Sequence, residues 1–311
     1  MFSSITQPNY PKAALGLEKG SISVVMLDKA GRGQYSVRQA ATTGLPAGLL
    51  TPGFLDANIA EPREFAACLQ EAVEDAGLMN QKRWSVALPS STARTSIFVL
   101  ESEPVSKKET DEILDWKAGQ SFGAPAAELR IAKQKIAPDK DGKTRYFVTA
   151  VTLAVLDEYE TQFESLGWKA GLILPRSIAE SKWLTGGTEK ADSLLISSTD
   201  DGFTALLLRG SEPTVVRSVT CTPEEIDDEI YRLLMFYNDR FSSDQGFGML
   251  EKLLVIGKGF VREKITQIST EALGRALRTL TPTEIGLYFP DTTLDFDEIA
   301  APAGLAALGF A

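Results

Sequence analysis

Residues that could take part in chemistry are concentrated at a glycine-containing turn near the start of the chain. An apolar strand from Ala14 ends at Glu18-Lys19-Gly20-Ser21, and a second apolar strand follows as far as Met26. Glycine adopts a positive φ readily, so the backbone N–H groups of such a turn can face inward and form a concavity for a phosphate group. Glycine and serine are equally common in hairpin turns that bind nothing. The turn by itself is compatible with a phosphate site and with an ordinary hairpin.

The composition excludes several classes of catalytic and metal site. The chain of 311 residues contains no histidine, which excludes Ser-His-Asp and Cys-His catalysis and every histidine-based metal site. Cys68 and Cys221 are far apart in the sequence and are interpreted as buried thiols, not as a disulfide. The carboxylates at 224–229 suit the first turn of a helix, where they complement its dipole. The sequence therefore predicts no metal site.

Charge and hydropathy limit the partners. A net charge of −10 argues against nucleic acid, which binds clustered lysine and arginine, and against direct docking to anionic lipid. No apolar stretch approaches the ~20 residues that span a bilayer. The segment from Met1 to Pro11 lacks the charged and apolar regions of a signal peptide. We therefore expect a cytoplasmic protein without direct membrane insertion.

The elements around the first turn predict a fold made of two similar halves. Strands at Ala13–Leu17, Ser23–Leu27 and Tyr35–Ala40 form a β-meander, which argues against a Rossmann fold. Strands at Ser193–Ile196, Phe203–Leu208 and 214–219 repeat that arrangement later in the chain. Between them, Ser106 and Glu109 form a capping box that begins a helix.

Several segments, in order along the chain, resemble the PilM branch of the actin-like ATPase superfamily. The first turn resembles that superfamily's first phosphate loop. The turn Pro89-Ser90-Ser91, the Trp116-x-Ala118-x-Gln120 signature and the closing segment 300–306 are similar to PilM-like sequences. The resemblance covers nearly all of residues 13–309. It implies an α/β, actin-like (ribonuclease H-like), two-lobed fold with a small inserted α+β subdomain, as in the related cell-division protein FtsA.

This resemblance also implies a division into domains. We expect an N-terminal tail at 1–12, a first actin-like lobe at 13–93 and 175–188, an inserted subdomain at 94–174 and a second lobe at 189–311. Within the second lobe, the segment around 222–250 corresponds to a reduced outer subdomain. The polar connector 185–190 separates the halves.

In this superfamily two phosphate loops and an adenosine-side turn face a cleft. The matching nucleotide-side residues are Glu18, Gly20, Ser21, Ser23, Thr199, Asp200, Gly202, Gly257, Lys258 and Gly259. The phosphate side departs from the family pattern. Glu18 replaces an aspartate, Ser197-Ser198-Thr199 replaces "D-I-G", and Val25 replaces the lysine of "S-V-K". Phosphoryl transfer depends on positioning and charge neutralisation, so we expect at most weak ATP or ADP binding with Mg²⁺ and no catalytic residues.

The resemblance further implies an adaptor at the inner membrane in type IV pilus biogenesis. A PilM-like protein binds the short cytoplasmic tail of PilN, a single-pass membrane protein, in a groove beside the inserted subdomain. Strand addition suits such a groove, and we place Ile97, Val99, Trp116 and Phe122 near it. For Trp116, burial in the core is the first expectation, and contact with the partner is the second. Pilus motor ATPases and further copies of the chain stay open as additional partners.

Two alternatives belong to other classes of function. An active ATPase or a small-molecule kinase on the same fold would need a general base, for which Asp200 and Asp201 are the candidates. Both lie in a turn, where acidic residues are common for local reasons. The other alternative is the cytoplasmic domain of a GspL-like type II secretion protein. In proteins of that kind, the cytoplasmic domain continues into a transmembrane helix.

Overall fold

The computed structural model describes residues 9–185, 191–241, 249–289 and 293–310. Its strands are β1 (Ala13–Glu18), β2 (Ser21–Gly31), β3 (Gln34–Gly44), β4 (Arg83–Leu88), β5 (Arg94–Val99), β6 (Leu129–Ile136), β7 (Arg145–Thr152), β8 (Lys169–Pro175), β9 (Asp192–Thr199), β10 (Gly202–Arg209), β11 (Glu212–Thr220), β12 (Leu250–Ile256) and β13 (Leu287–Tyr288). Its α-helices are α1 (Pro62–Asp75), α2 (Lys107–Phe122), α3 (Leu153–Ser165), α4 (Arg176–Ser181), α5 (Ile226–Phe241), α6 (Arg262–Leu273) and α7 (Phe296–Leu308).

The first lobe is built on a six-stranded sheet with the order β13-β3-β2-β1-β4-β8. The antiparallel pairs β1–β2 and β2–β3 confirm the predicted opening meander, and β4 and β8 run parallel to β1. The strands β1 and β4 are each buried at all but one terminal residue because both faces of the sheet are covered. On one face, α1 buries Phe65, Leu69 and Val73 at the spacing of a single helical stripe.

The second lobe repeats this arrangement around a four-stranded sheet with the order β11-β10-β9-β12. The antiparallel pairs β9–β10 and β10–β11 confirm the second predicted meander. β12 runs parallel to β9, as β4 does to β1. Ile230, Leu233 and Leu234 of α5, with Ile265 and Ile268 of α6, pack on one face of the sheet. Each lobe is thus a meander extended by a parallel strand.

Helix α7 lies between the two sheets. Its small residues Ala300, Ala303 and Ala306 are fully buried in a core that also contains Ala14 of β1 and Leu254 of β12. Small side chains let a helix approach a sheet closely on more than one side. The last helix therefore joins the lobes, although most of its packing is on the first.

The inserted unit consists of a three-stranded sheet, with the order β5-β7-β6, and helix α2. The sequence places the insertion at 94–174, but the elements from 153 onward belong elsewhere. Val155, Tyr159 and Phe163 of α3 pack in the core of the first lobe, and β8 pairs with β4. These contacts favour a shorter insertion, 94–152.

The end of the chain also differs from the expected second lobe at 189–311. Leu287 and Tyr288 of β13 pair in parallel with β3 of the first lobe, and α7 packs mainly there. Of the predicted connector 185–190, residues 186–190 lie outside the described residues, as do 242–248 of the segment interpreted as a reduced outer subdomain. The extent of that subdomain remains a prediction.

Candidate functional site

The glycine-containing turns of the two lobes face one cavity of about 300 Å³. The predicted nucleotide-side residues that line it are Glu18, Ser21, Thr199, Asp200, Gly257 and Lys258. The turn Pro89-Ser90-Ser91 completes the first-lobe wall, and Arg176, Asp297 and Glu298 come from the starts of α4 and α7. Gly20 lines an adjoining, more open pocket. The turns that the sequence singled out are therefore brought together at the cleft between the lobes.

Glu18, at the end of β1, is held in an ion pair. Its Oε1 contacts Nη1 of Arg176, and Nε of Arg176 lies 2.6 Å from Oε1 of Glu180. The side chain of Arg176 is only 5% exposed and that of Glu180 is fully buried. Burial raises the pKa of the Glu180 carboxyl, against the opposing effect of the Arg176 charge. The Arg176 guanidinium thus pairs with two carboxylates at the edge of the cleft.

The first turn differs in detail from the expectation for a phosphate loop. Gly20 does not have a positive φ. The prediction that a positive φ at this glycine turns backbone N–H groups inward is therefore wrong. The turn instead connects β1 and β2 in regular antiparallel register, with Glu18 opposite Ser21. Ser23 is buried between the strand and the last helix, against Gly16, and does not line the cavity. Its proposed contact with nucleotide remains a prediction.

The second turn is organised by its own hydrogen bonds. Oδ1 of Asp201 accepts from the Thr199 hydroxyl at 3.1 Å, and Oδ2 accepts from the Thr220 hydroxyl at 3.5 Å. Gly202 is required by the hairpin, because a Cβ atom there would lie 2.0 Å from the carbonyl oxygen of Val219. Asp200 faces the cavity, and partial burial raises the pKa of its carboxyl. The carboxylate of Asp201 is thus used within the turn, and only Asp200 is presented to the cleft.

In the third turn, on the side expected for adenosine, a side chain of the protein occupies the space beside the glycine. Gly257 has a φ of +113°, and a Cβ atom at this position would lie 1.7 Å from Oγ of Ser198. The space next to this glycine is therefore taken by the Ser198 side chain. Lys258 pairs with Glu298 of α7 at 3.1 Å, while Gly259 lies next to Ile226 and away from the cavity lining.

Most of the carboxylates that line the cavity are already paired with a cation, which leaves few ligands for a magnesium–nucleotide complex. Magnesium needs hard oxygen ligands that are free to face it, directly or through water. Glu18 pairs with Arg176, and Asp297 pairs with Arg262 at 2.7 Å. Across the described ranges there is no group of three or more acidic or cysteine side chains that could hold a metal ion. The weak binding of ATP or ADP with Mg²⁺ stays a prediction.

Sequence reasoning missed the residues that supply the counter-charges, Arg176 and the pair Asp297 and Glu298. One signal was available. Arg176 and Glu180 are four residues apart in a stretch that is otherwise mostly apolar, which is the spacing of an ion pair on one face of a helix. The approach of Asp297 had no such signal, because that residue lies more than a hundred positions further along the chain and reaches Arg176 through its backbone oxygen, at 2.7 Å.

A second concave surface lies between the first lobe and the inserted unit, and we call it the β8 groove. It has a volume of about 370 Å³. Its lining consists of Leu88, Arg130, Ala132, Thr149, Val151, Leu156, Glu160 and the consecutive residues 170–175. Most of these side chains are apolar, and one of each charge, Arg130 and Glu160, is present.

The predicted partner-binding residues lie elsewhere in the inserted unit. Phe122 is buried and stacks on Phe98, with ring centroids 5.6 Å apart, while Ile97 and Val99 are half-buried on β5. The expectation that Trp116 belongs to the core is wrong, because its residue is 65% exposed. Leu114, Ala118 and Phe122 form the buried stripe of α2, and position 116 is roughly 200° around the helix from 114. Contact of these residues with a partner remains a prediction.

The chain is similar in structure to a chain of the PilM–PilN type IV pilus biogenesis complex, with a TM-score of 0.76 and 18% identity over 98% of this chain and 100% of that one. A Bacteroides thetaiotaomicron protein with an actin-like ATPase fold gives a TM-score of 0.49 at 13% identity, over 96% and 98% of the two chains. The cytoplasmic domain of EpsL, an inner membrane component of the type II secretion system of Vibrio cholerae, gives 0.46 at 12% identity, over 87% and 98%.

No protein-family model and no curated protein sequence matches the chain. Among the helices that the structure describes, none has the length and apolar character needed to cross a membrane. The arrangement of two meander-based lobes around a cleft agrees with the structural similarity. The chain has an actin-like fold, similar to that of the matched chain of the PilM–PilN complex.

Proposed function

We propose that this chain is a non-hydrolysing, actin-like scaffold of type IV pilus assembly, and that it binds the cytoplasmic N-terminal tail of a PilN-like membrane protein. It would act in the cytoplasm and be held at the inner membrane by that partner. The observation that carries the proposal is the β8 groove, in which an open sheet edge lies beside a wall of apolar and polar side chains. The PilM–PilN complex supports the choice of partner class.

The way each element lines the groove indicates how an occupant would bind. Residues 170–175 are consecutive, so β8 presents its backbone edge to the groove and not one of its faces. β8 is the last strand of the six-stranded sheet, and within the described residues no further strand pairs with its outer side. A row of N–H and C=O groups is thus available for an added strand.

The opposite wall presents side chains. Arg130 and Ala132 alternate along β6, and their cross-strand partners on β7 are Val151 and Thr149. Alternation places all four on one face of the three-stranded sheet. An extended peptide hydrogen-bonded to β8 would therefore direct one row of its own side chains onto this face. Peptides recognised by strand addition gain affinity from the backbone and specificity from such side-chain contacts.

A fluorescence anisotropy titration tests this proposal. The probe is a labelled synthetic peptide with the sequence of the cytoplasmic tail of the PilN-like protein encoded in the same genome, and a scrambled peptide is its control. We expect saturable binding of the tail peptide to the full chain at micromolar concentration. No binding at high micromolar peptide would contradict the proposal.

Two variants locate the binding. Ala132→Trp places a large ring in the groove at an exposed strand position and should weaken binding at least tenfold. Lys140→Trp adds the same ring at the exposed turn between β6 and β7, outside the groove, and should bind like the unmodified chain. Equal binding by the two variants would place the peptide elsewhere on the protein.

A further inference from the structure

Two ion pairs, joined by a hydrogen bond to a backbone oxygen, connect one lobe to the other across the cleft. Glu18, at the end of β1, contacts Arg176 at the start of α4. Nη2 of Arg176 donates to the backbone oxygen of Asp297 in the first turn of α7, at 2.7 Å. Oδ1 of Asp297 accepts from Nη2 of Arg262, on α6 of the second lobe, at 2.7 Å. The path thus begins in the first lobe and ends in the second.

A parallel contact supports the same connection. Lys258, in the turn after β12 of the second lobe, pairs with Glu298 of α7 at 3.1 Å. Nη2 of Arg262 also lies 3.5 Å from the backbone oxygen of Val255, the last but one residue of β12. The first turn of α7 is therefore tied to the second lobe through two neighbouring acidic side chains, Asp297 and Glu298.

The centre of this path is a positive charge in a place shielded from water. The Arg176 side chain is 5% exposed, compared with 43% for Arg262 and 80% for Lys258. A guanidinium does not lose its proton in proteins, so this charge is permanent. Both Glu18 and Glu180 direct an oxygen to it. Arg176 thus supplies a permanent positive charge beside the Glu18 carboxylate at the cleft.

We propose that Arg176 replaces a divalent cation as the counter-charge of the cleft, and that the path from Glu18 through Arg176 and Asp297 to Arg262 holds the two lobes together without nucleotide. Two observations converge on this. Three of the carboxylates that line the cavity, those of Glu18, Asp297 and Glu298, are each paired with a cation, and the space beside Gly257 is filled by Ser198. The proposal concerns the cleft and is independent of what binds the β8 groove.

The first experiment is thermal unfolding of the full chain with and without ligand. Protein that binds a ligand only when folded is stabilised as the ligand concentration rises above the dissociation constant. With ATP or ADP, each with excess Mg²⁺ and at millimolar concentration, we expect no shift in Tm and no phosphate release. A saturable, Mg²⁺-dependent rise in Tm would overturn the proposal.

The second experiment measures the connection between the lobes by hydrogen exchange. Arg176→Met removes the charge and keeps most of the length of the side chain. We expect amide exchange to accelerate at least tenfold at two segments, residues 255–262 and the first turn of α7. Arg278→Met is the matched control, because Arg278 pairs with Glu284 on the surface and its side chain is 68% exposed. Equal exchange in the two variants would overturn the proposal.

A third variant keeps the test valid if Arg176→Met does not fold. Arg262→Met cuts the path at its more exposed end. It should raise exchange in the first turn of α7 while the β1–β2 turn stays as protected as in the unmodified chain. Unchanged exchange in α7 would contradict a role for this path in joining the lobes. Peptide binding to the β8 groove, measured in parallel, reports separately on the adaptor function.

Discussion

Gly304 of α7 lies directly against Ala179 of α4, and a Cβ atom built at position 304 would be 2.2 Å from the carbonyl oxygen of Ala179. The same crossing is fixed by Trp183, whose indole Nε1 donates to the backbone oxygen of Ala300 at 2.8 Å. The glycine of the closing segment 300–306 therefore has a packing role. It allows the last helix to touch the backbone of α4.

Replacing this glycine should be costly. Gly304→Ala forces the two helices apart, and we expect a loss of about 1–3 kcal/mol in the free energy of unfolding, as for other overpacked sites. Urea denaturation followed by circular dichroism measures it. Gly20→Ala is the control, since no atom lies within 4 Å of a Cβ built there and its φ is not positive. A similar loss in both variants would contradict the packing argument.

Glu180 should make stability depend on pH in an unusual direction. Burial raises the pKa of its carboxyl above the ordinary value, so the folded state binds this proton more tightly than the unfolded chain. Its contribution to stability then falls as pH rises from about 4.3 toward the folded-state pKa. Glu180→Gln removes that proton and keeps an oxygen to accept from Nε of Arg176. The stability of the variant relative to the unmodified chain should therefore increase as pH is raised through this range.

Denaturant titrations at several pH values measure this difference. Glu112→Gln, at an exposed position of α2, serves as the control for adding a neutral amide. If the stability difference between Glu180→Gln and the unmodified chain is the same at every pH, the interpretation of Glu180 is wrong.

Glu284 should show the opposite and smaller pH dependence. Its hydrogen bond with Arg278, together with those from Thr281, lowers the pKa of Glu284 to about 2. The folded state then gains stability above the unfolded-state pKa of about 4.3 and loses it as pH falls toward that lowered value. Because the pair is largely solvated, Glu284→Gln should cost less than about 1 kcal/mol at pH 7. Denaturation in high salt should reduce the cost further, and a cost that grows with salt would contradict this account.

The capping box that begins α2 should contribute measurably to stability. Oγ of Ser106 accepts from the backbone N–H of Glu109 at 3.1 Å, and Oε2 of Glu109 accepts from the N–H of Val105 at 2.6 Å. Ser106→Ala removes the first of these bonds, which should cost about 1 kcal/mol. Ser121→Ala, at an exposed position near the other end of the same helix, is the matched control. Equal unfolding midpoints in denaturant would show that the cap has no net effect.

The sequence by itself determined the two meanders, the capping box of α2 and the turns that border the cleft. These features depend on local rules, namely strand periodicity, glycine placement and the side chains that satisfy the first N–H groups of a helix. The absence of histidine also excluded histidine-based catalysis and histidine-based metal sites.

Only the tertiary structure decided where those features meet. Asp297 reaches Arg176 across 121 positions of sequence, and β13 returns to pair with β3 of the first lobe. Trp116 points outward because the core-facing stripe of α2 is set by Leu114, Ala118 and Phe122. Such contacts depend on how α7 packs between two sheets and on which strand edges stay unpaired. No local pattern of residues encodes that packing or that choice of edges.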